Sequence, residues 1–332
     1  MIFCGKMRLF ARPGSLVAAL WLVTSVALAR PEFHPGEIWT DTVGQPIQAH
    51  GGGVLVHSNI FYWYGEDRTP GRRGGVSCYS SANLYDWQRE GVALPPESLP
   101  RIGGRSTFLE RPKVIFNSRT GKFVMWMHLE QGGYHLASVG IAVGGSPAGP
   151  FTFQNAFQPN GNMSRDMTLY LDDDGNAYEI YSARDNYDLR ICRLSDDFLS
   201  ATTNDVLIAS DHREAPALFK YRSRYYLITS ACTGWAPNAA NYYTAGHILG
   251  PWTGHPNPCR GPNAERTFDG QSTFVLPVPG KAGALIFMAD RWKPHDLPNS
   301  TYLWLPLQCE GDNLIIDWRD AWSLDSFHKN HQ

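Results

Sequence analysis

Arg213-Glu214-Ala215-Pro216-Ala217-Leu218-Phe219 places a carboxylate at the head of an apolar, aromatic-rich strand, with a proline close behind it. A carboxylate next to a buried strand is costly to desolvate, so its presence there points to a task. Leu109-Glu110-Arg111-Pro112-Lys113-Val114-Ile115-Phe116 repeats the arrangement. Two matching units suggest a repeat, and the rest of the chain supplies three more.

The first unit opens at Gln48-Ala49-His50-Gly51-Gly52-Gly53, with strands expected at 54–56, 60–64, 76–80 and near Trp87. In the second, Glu110 leads 114–116, a turn follows at 117–121, and return strands are expected at 122–128 and 138–143. The third begins at Ser164-Arg165-Asp166, and its Asp172-Asp173-Asp174-Gly175 reads as a hairpin turn, because the remaining ligands of a calcium loop are missing. The fourth begins at Glu214 and the fifth at Gln271, whose return strand ends at Asp290-Arg291-Trp292. The openings lie about 50–60 residues apart, and a period of that size built from short antiparallel strands indicates an all-β, five-bladed β-propeller.

Propeller geometry also explains why each unit opens on a polar group. The first strand of each blade lines the axis, so corresponding ends converge at one mouth of the central channel. Gln48, His50, Glu110, Asp166, Glu214 and Gln271 are therefore expected in one polar pocket. Three carboxylates and two amides in one place suit glycoside hydrolysis, in which a protonated acid assists the leaving oxygen and an opposed base activates water. Crowding should raise the pKa of at least one carboxyl. Trp63, Trp126, Tyr134 and Trp235 fall near blade mouths and are candidate sugar platforms, with a core role the plainer reading of each. The plainer reading of the carboxylates is ion pairing with Arg111, Lys113, Arg165 and Arg213. Recurrence at matching places favours a site.

With 332 residues, 43% of them hydrophobic, the chain can bury a large core. A net charge of -2 gives no electrostatic case for nucleic acid or anionic membranes as partners. No Ser-His-Asp arrangement, phosphate-cradling loop, dinucleotide fingerprint or zinc spacing is present, so neither cofactor nor metal is expected. Lys6, Arg8 and Arg12 precede an apolar run over 16–28 that ends in Ala27-Leu28-Ala29, the pattern of a secretory signal. The expected organisation is a signal peptide over 1–29 and a single catalytic propeller over 30–332, secreted and free of the membrane after cleavage. Loss of Cys4 would leave five cysteines, so at least one thiol is unpaired within the chain.

Gln48-Ala49-His50-Gly51, Phe61-Tyr62-Trp63-Tyr64-Gly65-Glu66-Asp67, Glu110-Arg111-Pro112-Lys113-Val114, Ser164-Arg165-Asp166, Glu214-Ala215-Pro216, Gly234-Trp235-Ala236-Pro237-Asn238 and Asp290-Arg291-Trp292 occur in this order. Together they resemble glycoside hydrolase family 43 and, more narrowly, its exo-β-1,3-galactanase branch. The resemblance implies inversion at the anomeric centre, Glu214 as general acid, and a β-1,3-galactan such as the arabinogalactan backbone as the carbohydrate partner. It also implies that Gln48 stands where the wider family has an aspartate base, leaving Gln271 and Glu110 as candidates for handling water. Glu66, Tyr134, Asp166 and Asn186 match positions that bind the terminal galactose. Cys232 stands in place of a sugar-contacting threonine, a role the resemblance would pass to the adjacent Thr233. An arabinofuranosidase or xylosidase of the same fold, and a carbohydrate-binding propeller without catalysis, are the alternative readings.

Overall fold

The computed structural model describes residues 1–2, 31–69 and 74–328; the expected signal segment lies outside the described residues. Among the described residues of the unit Glu32–Gln332, five large sheets of mainly antiparallel strands follow one another in sequence order, with a small two-stranded ribbon, Arg101–Ile102 and Arg105–Ser106, between the first and second. Blade one comprises His50–His57, Ile60–Asp67, Gly75–Ser81 and Gln88–Leu94, and blade two Phe108–Asn117, Lys122–Glu130, Ser138–Gly144 and Phe151–Phe157. Blade three follows with Met167–Leu171, Ala177–Ala183, Asp188–Leu194 and Ala201–Ala209, and blade four with Arg213–Tyr221, Arg224–Ala231, Asn241–Ala245 and Thr253–His255. Blade five is built from Gln271–Pro277, Leu285–Arg291, Thr301–Glu310 and Asn313–Asp317, with Cys259–Arg260 added in parallel at its outer edge. The five-bladed propeller expected from the repeat is the observed fold.

Five apolar clusters hold the blades together, one between each adjacent pair. Each sheet is thus buried on both faces, which explains why many strands read as continuous apolar runs. The wedge between blades one and five takes the largest side chains. Trp63, Trp87, Trp304, Trp322 and Phe33 pack there, and Phe33 exchanges backbone hydrogen bonds with Trp322 at 2.7 and 3.1 Å, tying the lead-in to the end of the chain. Trp63 and Trp126 are both core residues and not sugar platforms. The indole of Trp126 donates to the Phe198 carbonyl at 2.8 Å, so its one polar atom is satisfied without solvent.

The inner strands begin earlier than the sequence pattern suggests. Glu110 and Glu214 lie inside their strands, because each is followed by a β-bulge, between Glu110 and Lys113 and between Glu214 and Ala217. Pro112 and Pro216 sit in these bulges, where a missing N–H costs no ladder bond. Arg111 and Ala215 take left-handed φ of 54°. Blade one bulges likewise between His50 and Gly53. A Cβ at Gly52 would lie 1.8 Å from the Tyr64 carbonyl oxygen, and one at Gly53 only 2.8 Å from Lys113 Cδ, so the glycine run is what lets the hub close.

Glu179 is packed inside blade three, where it accepts hydrogen bonds from Ser164 Oγ at 2.9 Å and Cys192 Sγ at 3.6 Å. Burial pushes its carboxyl up to about 8 despite these bonds. A carboxyl with a raised folded pKa stabilises the fold fully below its unfolded value, about 4.3, and loses that contribution as pH rises through the folded value. Between about pH 4.3 and 8 the melting temperature of Glu179→Gln should therefore gain steadily on that of the wild type. A constant difference across the window, measured by calorimetry, would show that Glu179 is not held protonated.

Candidate active site

The hub mouth holds a cavity of ≈ 280 Å³. Eight of the expected site residues line it: Glu66, Glu110, Tyr134, Asp166, Asn186, Glu214, Trp235 and Gln271. Gln48 does not. The inner strand of blade one starts only at His50, and Gln48 has already left the ring, where its Nε2 donates to the Pro298 carbonyl at 2.8 Å. His50 is fully buried behind the cavity, stacked on Tyr302 at 5.1 Å. Thr233 is not in the cavity lining. Its hydroxyl is occupied by the Ala236 carbonyl and by Asn238, while the Cys232 thiol lies against Glu214.

The bulges decide which side chains meet. In the outer part of the blade-two hairpin Lys113 pairs with Trp126, but beyond the bulge Glu110 pairs with His128. Both Glu110 and Arg111 consequently reach the cavity, which strict alternation along a strand forbids. The same shift puts Glu66 opposite His50 and Ser230 opposite Glu214. Arg68, Arg111, His128, Arg165, Gly234 and Trp292 complete the lining. The sequence pattern marks Arg111 and Arg165 only as ion-pair partners for carboxylates and gives no site role to Arg68, His128 or Trp292. The one sequence signal for those three is position on the second strand of a blade or just beyond it.

Glu214 accepts hydrogen bonds from Asn186 Nδ2 at 3.0 Å and from Gln271 Nε2 at 2.9 Å. The Asn186 contact depends on a turn in which Arg184, Asp185 and Asn186 all take left-handed φ. Asn186 Oδ1 is buried and finds no hydrogen-bond partner among the described residues. Burial, with added repulsion from Asp166, raises the Glu214 carboxyl to about 7 against the pull of Arg111. Glu110 lies at the opposite extreme. Burial opposes its charge, but His128, Tyr134 and Arg68 outweigh that and hold it down at about 2. The Tyr134 hydroxyl donates to Glu110 Oε1 at 2.8 Å, and His128 Nδ1 lies 3.3 Å from Oε2.

Gln271 is held in one amide orientation. Its Oε1 faces the Arg111 guanidinium and Trp292 Nε1, the latter at 3.0 Å, and both are obligate donors. Arg111 also pairs with Asp166 at 3.0 Å and donates to the Ser272 carbonyl at 2.9 Å. Trp235, half exposed, stands edge-on to Trp292 with ring centroids 5.6 Å apart and offers an apolar wall. Glu110, His128 and Asp166 come within 4.8 Å of one another, close enough for a shared ion. The donor set fits a metal poorly, because both His128 nitrogens face carboxylates and Arg68 and Arg111 already supply the cations.

Residues 50–299 match the family model for glycosyl hydrolases family 43. A family 43 β-1,3-galactosidase solved with galactodeoxynojirimycin is similar at 41% identity and a TM-score of 0.83, over 88% of this chain and 100% of that one. A second family 43 β-1,3-galactosidase is 39% identical with a TM-score of 0.86, over 90% of this chain and 64% of that one. An exo-β-1,3-galactanase from Phanerochaete chrysosporium solved with β-1,3-galactotriose is 36% identical with a TM-score of 0.82, over 89% and 68%. No curated protein sequence matches the chain.

Carbon-13 NMR of glutamate-labelled protein should reveal a side-chain carboxyl titrating near pH 7 that disappears in Glu214→Gln. In Asp166→Asn, which removes the repelling charge, its midpoint should move down. If the only raised resonance is the one lost in Glu179→Gln, Glu214 is an ordinary carboxylate.

Proposed function

The chain belongs to glycosyl hydrolases family 43, and we propose that this glycoside hydrolase is a secreted, exo-acting enzyme releasing galactose from β-1,3-galactan, the backbone of arabinogalactan, by inversion. The observation that carries the assignment of acid and base is the split between two glutamates in one cavity, Glu214 at about 7 and Glu110 at about 2. Two carboxyls driven apart by their surroundings divide the roles of proton donor and ionised partner. Support for the sugar comes from the similar β-1,3-galactosidases and exo-β-1,3-galactanase. A leader over 1–29, ahead of one catalytic propeller over 30–332, is the reading that supports secretion.

In this mechanism Glu214, protonated near neutrality, delivers its proton to the glycosidic oxygen as the bond to the anomeric carbon breaks. Water on the opposite face attacks that carbon and gives its proton to Glu110. Gln271 positions Glu214 through its N–H. Acting as a base through an imidic tautomer would require Gln271 Oε1 to carry a proton, and that oxygen already faces two donors. Glu110 is therefore the base. Glu66, Tyr134, Asp166 and Asn186 surround the terminal sugar, with Trp235 as its apolar wall.

Glu214→Gln should lower turnover of β-1,3-galactobiose by roughly 10²–10⁴-fold with little change in sugar affinity, and should spare aryl galactosides with good leaving groups. Wild-type kcat/KM on the disaccharide should fall above about pH 7, as the acid loses its proton. Near-normal turnover by the variant on the disaccharide would remove Glu214 from the role.

Proton NMR of the earliest product should show α-galactose, and a β anomer would overturn inversion. Glu110→Gln and Gln271→Ala should both be severely impaired. Azide, which needs no deprotonation, should restore turnover to Glu110→Gln as an α-configured glycosyl azide. Rescue of Gln271→Ala in place of Glu110→Gln would make the amide the base.

A further inference from the structure

His128 stands opposite Glu110 because of the blade-two bulge. Its ring is buried, with Nδ1 3.3 Å from Glu110 Oε2 and Nε2 3.3 Å from Glu130 Oε2. Only the Nε2 contact has hydrogen-bond geometry, and Nδ1 faces Glu110 as a close charge contact; a neutral ring could donate to just one of these carboxylates, whereas the imidazolium attracts both. Glu130 is itself immobilised, accepting the backbone N–H groups of Gln131 at 2.9 Å, Leu136 at 2.7 Å and Ala137 at 3.0 Å. The result is a row of carboxylate, ring and carboxylate running from a backbone anchor to the cavity wall. The segment that supplies two of those amides also carries Tyr134, whose hydroxyl takes the other oxygen of Glu110.

We propose that His128 is a positioning residue of the hydrolase: clamped as an imidazolium between the anchored Glu130 and Glu110, it fixes the orientation of the Glu110 carboxylate and keeps it charged to receive the proton of water. The proposal rests on the reading of Glu110 as base. Burial works against a charged ring, but the bonds and charges of Glu110 and Glu130 outweigh it and raise His128 to about 9. The other charged groups facing the pair are Arg68 and Glu66 from blade one, Arg111 beside Glu110, Asp166 from blade three and Glu214 from blade four. Of the cations, Arg68 lies 3.9 Å from Glu110 and is shared with Glu66. Without His128, burial and the surrounding carboxylates would push Glu110 back up.

The test compares wild type, His128→Phe, His128→Gln and Glu110→Gln in the full-length chain, with β-1,3-galactobiose as substrate and thermal unfolding as the check on folding. His128→Gln keeps a polar side chain without the charge and decides the matter if His128→Phe folds poorly. Turnover should fall roughly 10–100-fold in both His128 variants, a part of the 10²–10⁴ supplied by a general base, with KM nearly unchanged. Their kcat/KM profiles should gain an acid limb at about pH 4–5, the range of an unassisted carboxyl, where wild type has none. Azide should restore turnover in both, as in Glu110→Gln. His128→Phe combined with Glu110→Gln should be no slower than Glu110→Gln alone, because the ring acts only through that carboxylate. If azide rescues Glu110→Gln while the His128 variants keep the wild-type acid side and gain nothing from azide, the positioning role is overturned and the base stands. Failure of azide to rescue Glu110→Gln would instead remove the base, and the proposal with it.

Discussion

The guanidinium of Arg111 is the contact on which the hub depends. It is buried, pairs with Asp166 of blade three, and donates to Gln271 and the Ser272 carbonyl of blade five, while its own backbone N–H donates to Glu66 of blade one at 3.0 Å. A propeller with an acidic group at the head of several inner strands brings like charges together. A cation at the meeting point lets them converge in a poorly solvated space, and their carboxylates offset the desolvation of the guanidinium. Directly behind it, Lys113 donates to the Gly51 carbonyl at 2.7 Å. Burial, with Arg111 beside it, lowers the Lys113 ammonium to about 7. Beside the permanent charge of Arg111, the hub thus holds a lysine whose charge its surroundings weaken.

Around that cation, two glutamates of the same type acquire different chemistry. Glu214 is buried and sits near the charge of Asp166, and the neutral amide donors of Asn186 and Gln271 do not offset this, so its protonated form is favoured. Glu110 faces an imidazolium and a phenol, so its ionised form is favoured. Part of the difference comes from the second strand of each hairpin, which puts His128 across from Glu110 but the uncharged Ser230 across from Glu214.

The aromatic wedge between blades one and five has a mechanical part in this. A ring of blades keeps its inner strands at fixed separation only if it is closed. Phe33, Trp304 and Trp322 close it through packing and a short backbone bridge. Contacts made by the lead-in and the end of the chain therefore hold Gln271 of blade five against Arg111 and Glu214 of its neighbours.

Fold class and blade number were legible in the residues alone, because strand alternation and turn chemistry are local and a polar opening recurred once per unit. The same periodicity located Glu110, Asp166, Glu214 and Gln271, since equivalent positions on a closed ring must converge. Gln48 escaped this logic: the His50–Gly53 bulge shifts the entry of blade one by an amount that no local pattern records. His128 escaped it for the related reason that its partner is set by a one-residue slip in register, from Arg111 to Glu110. Such slips answer to packing at the hub, where Gly52 and Gly53 must clear Tyr64 and Lys113. Which carboxyl holds a proton was likewise decided only by the tertiary structure, because burial and neighbouring charge come from blades far apart in the chain.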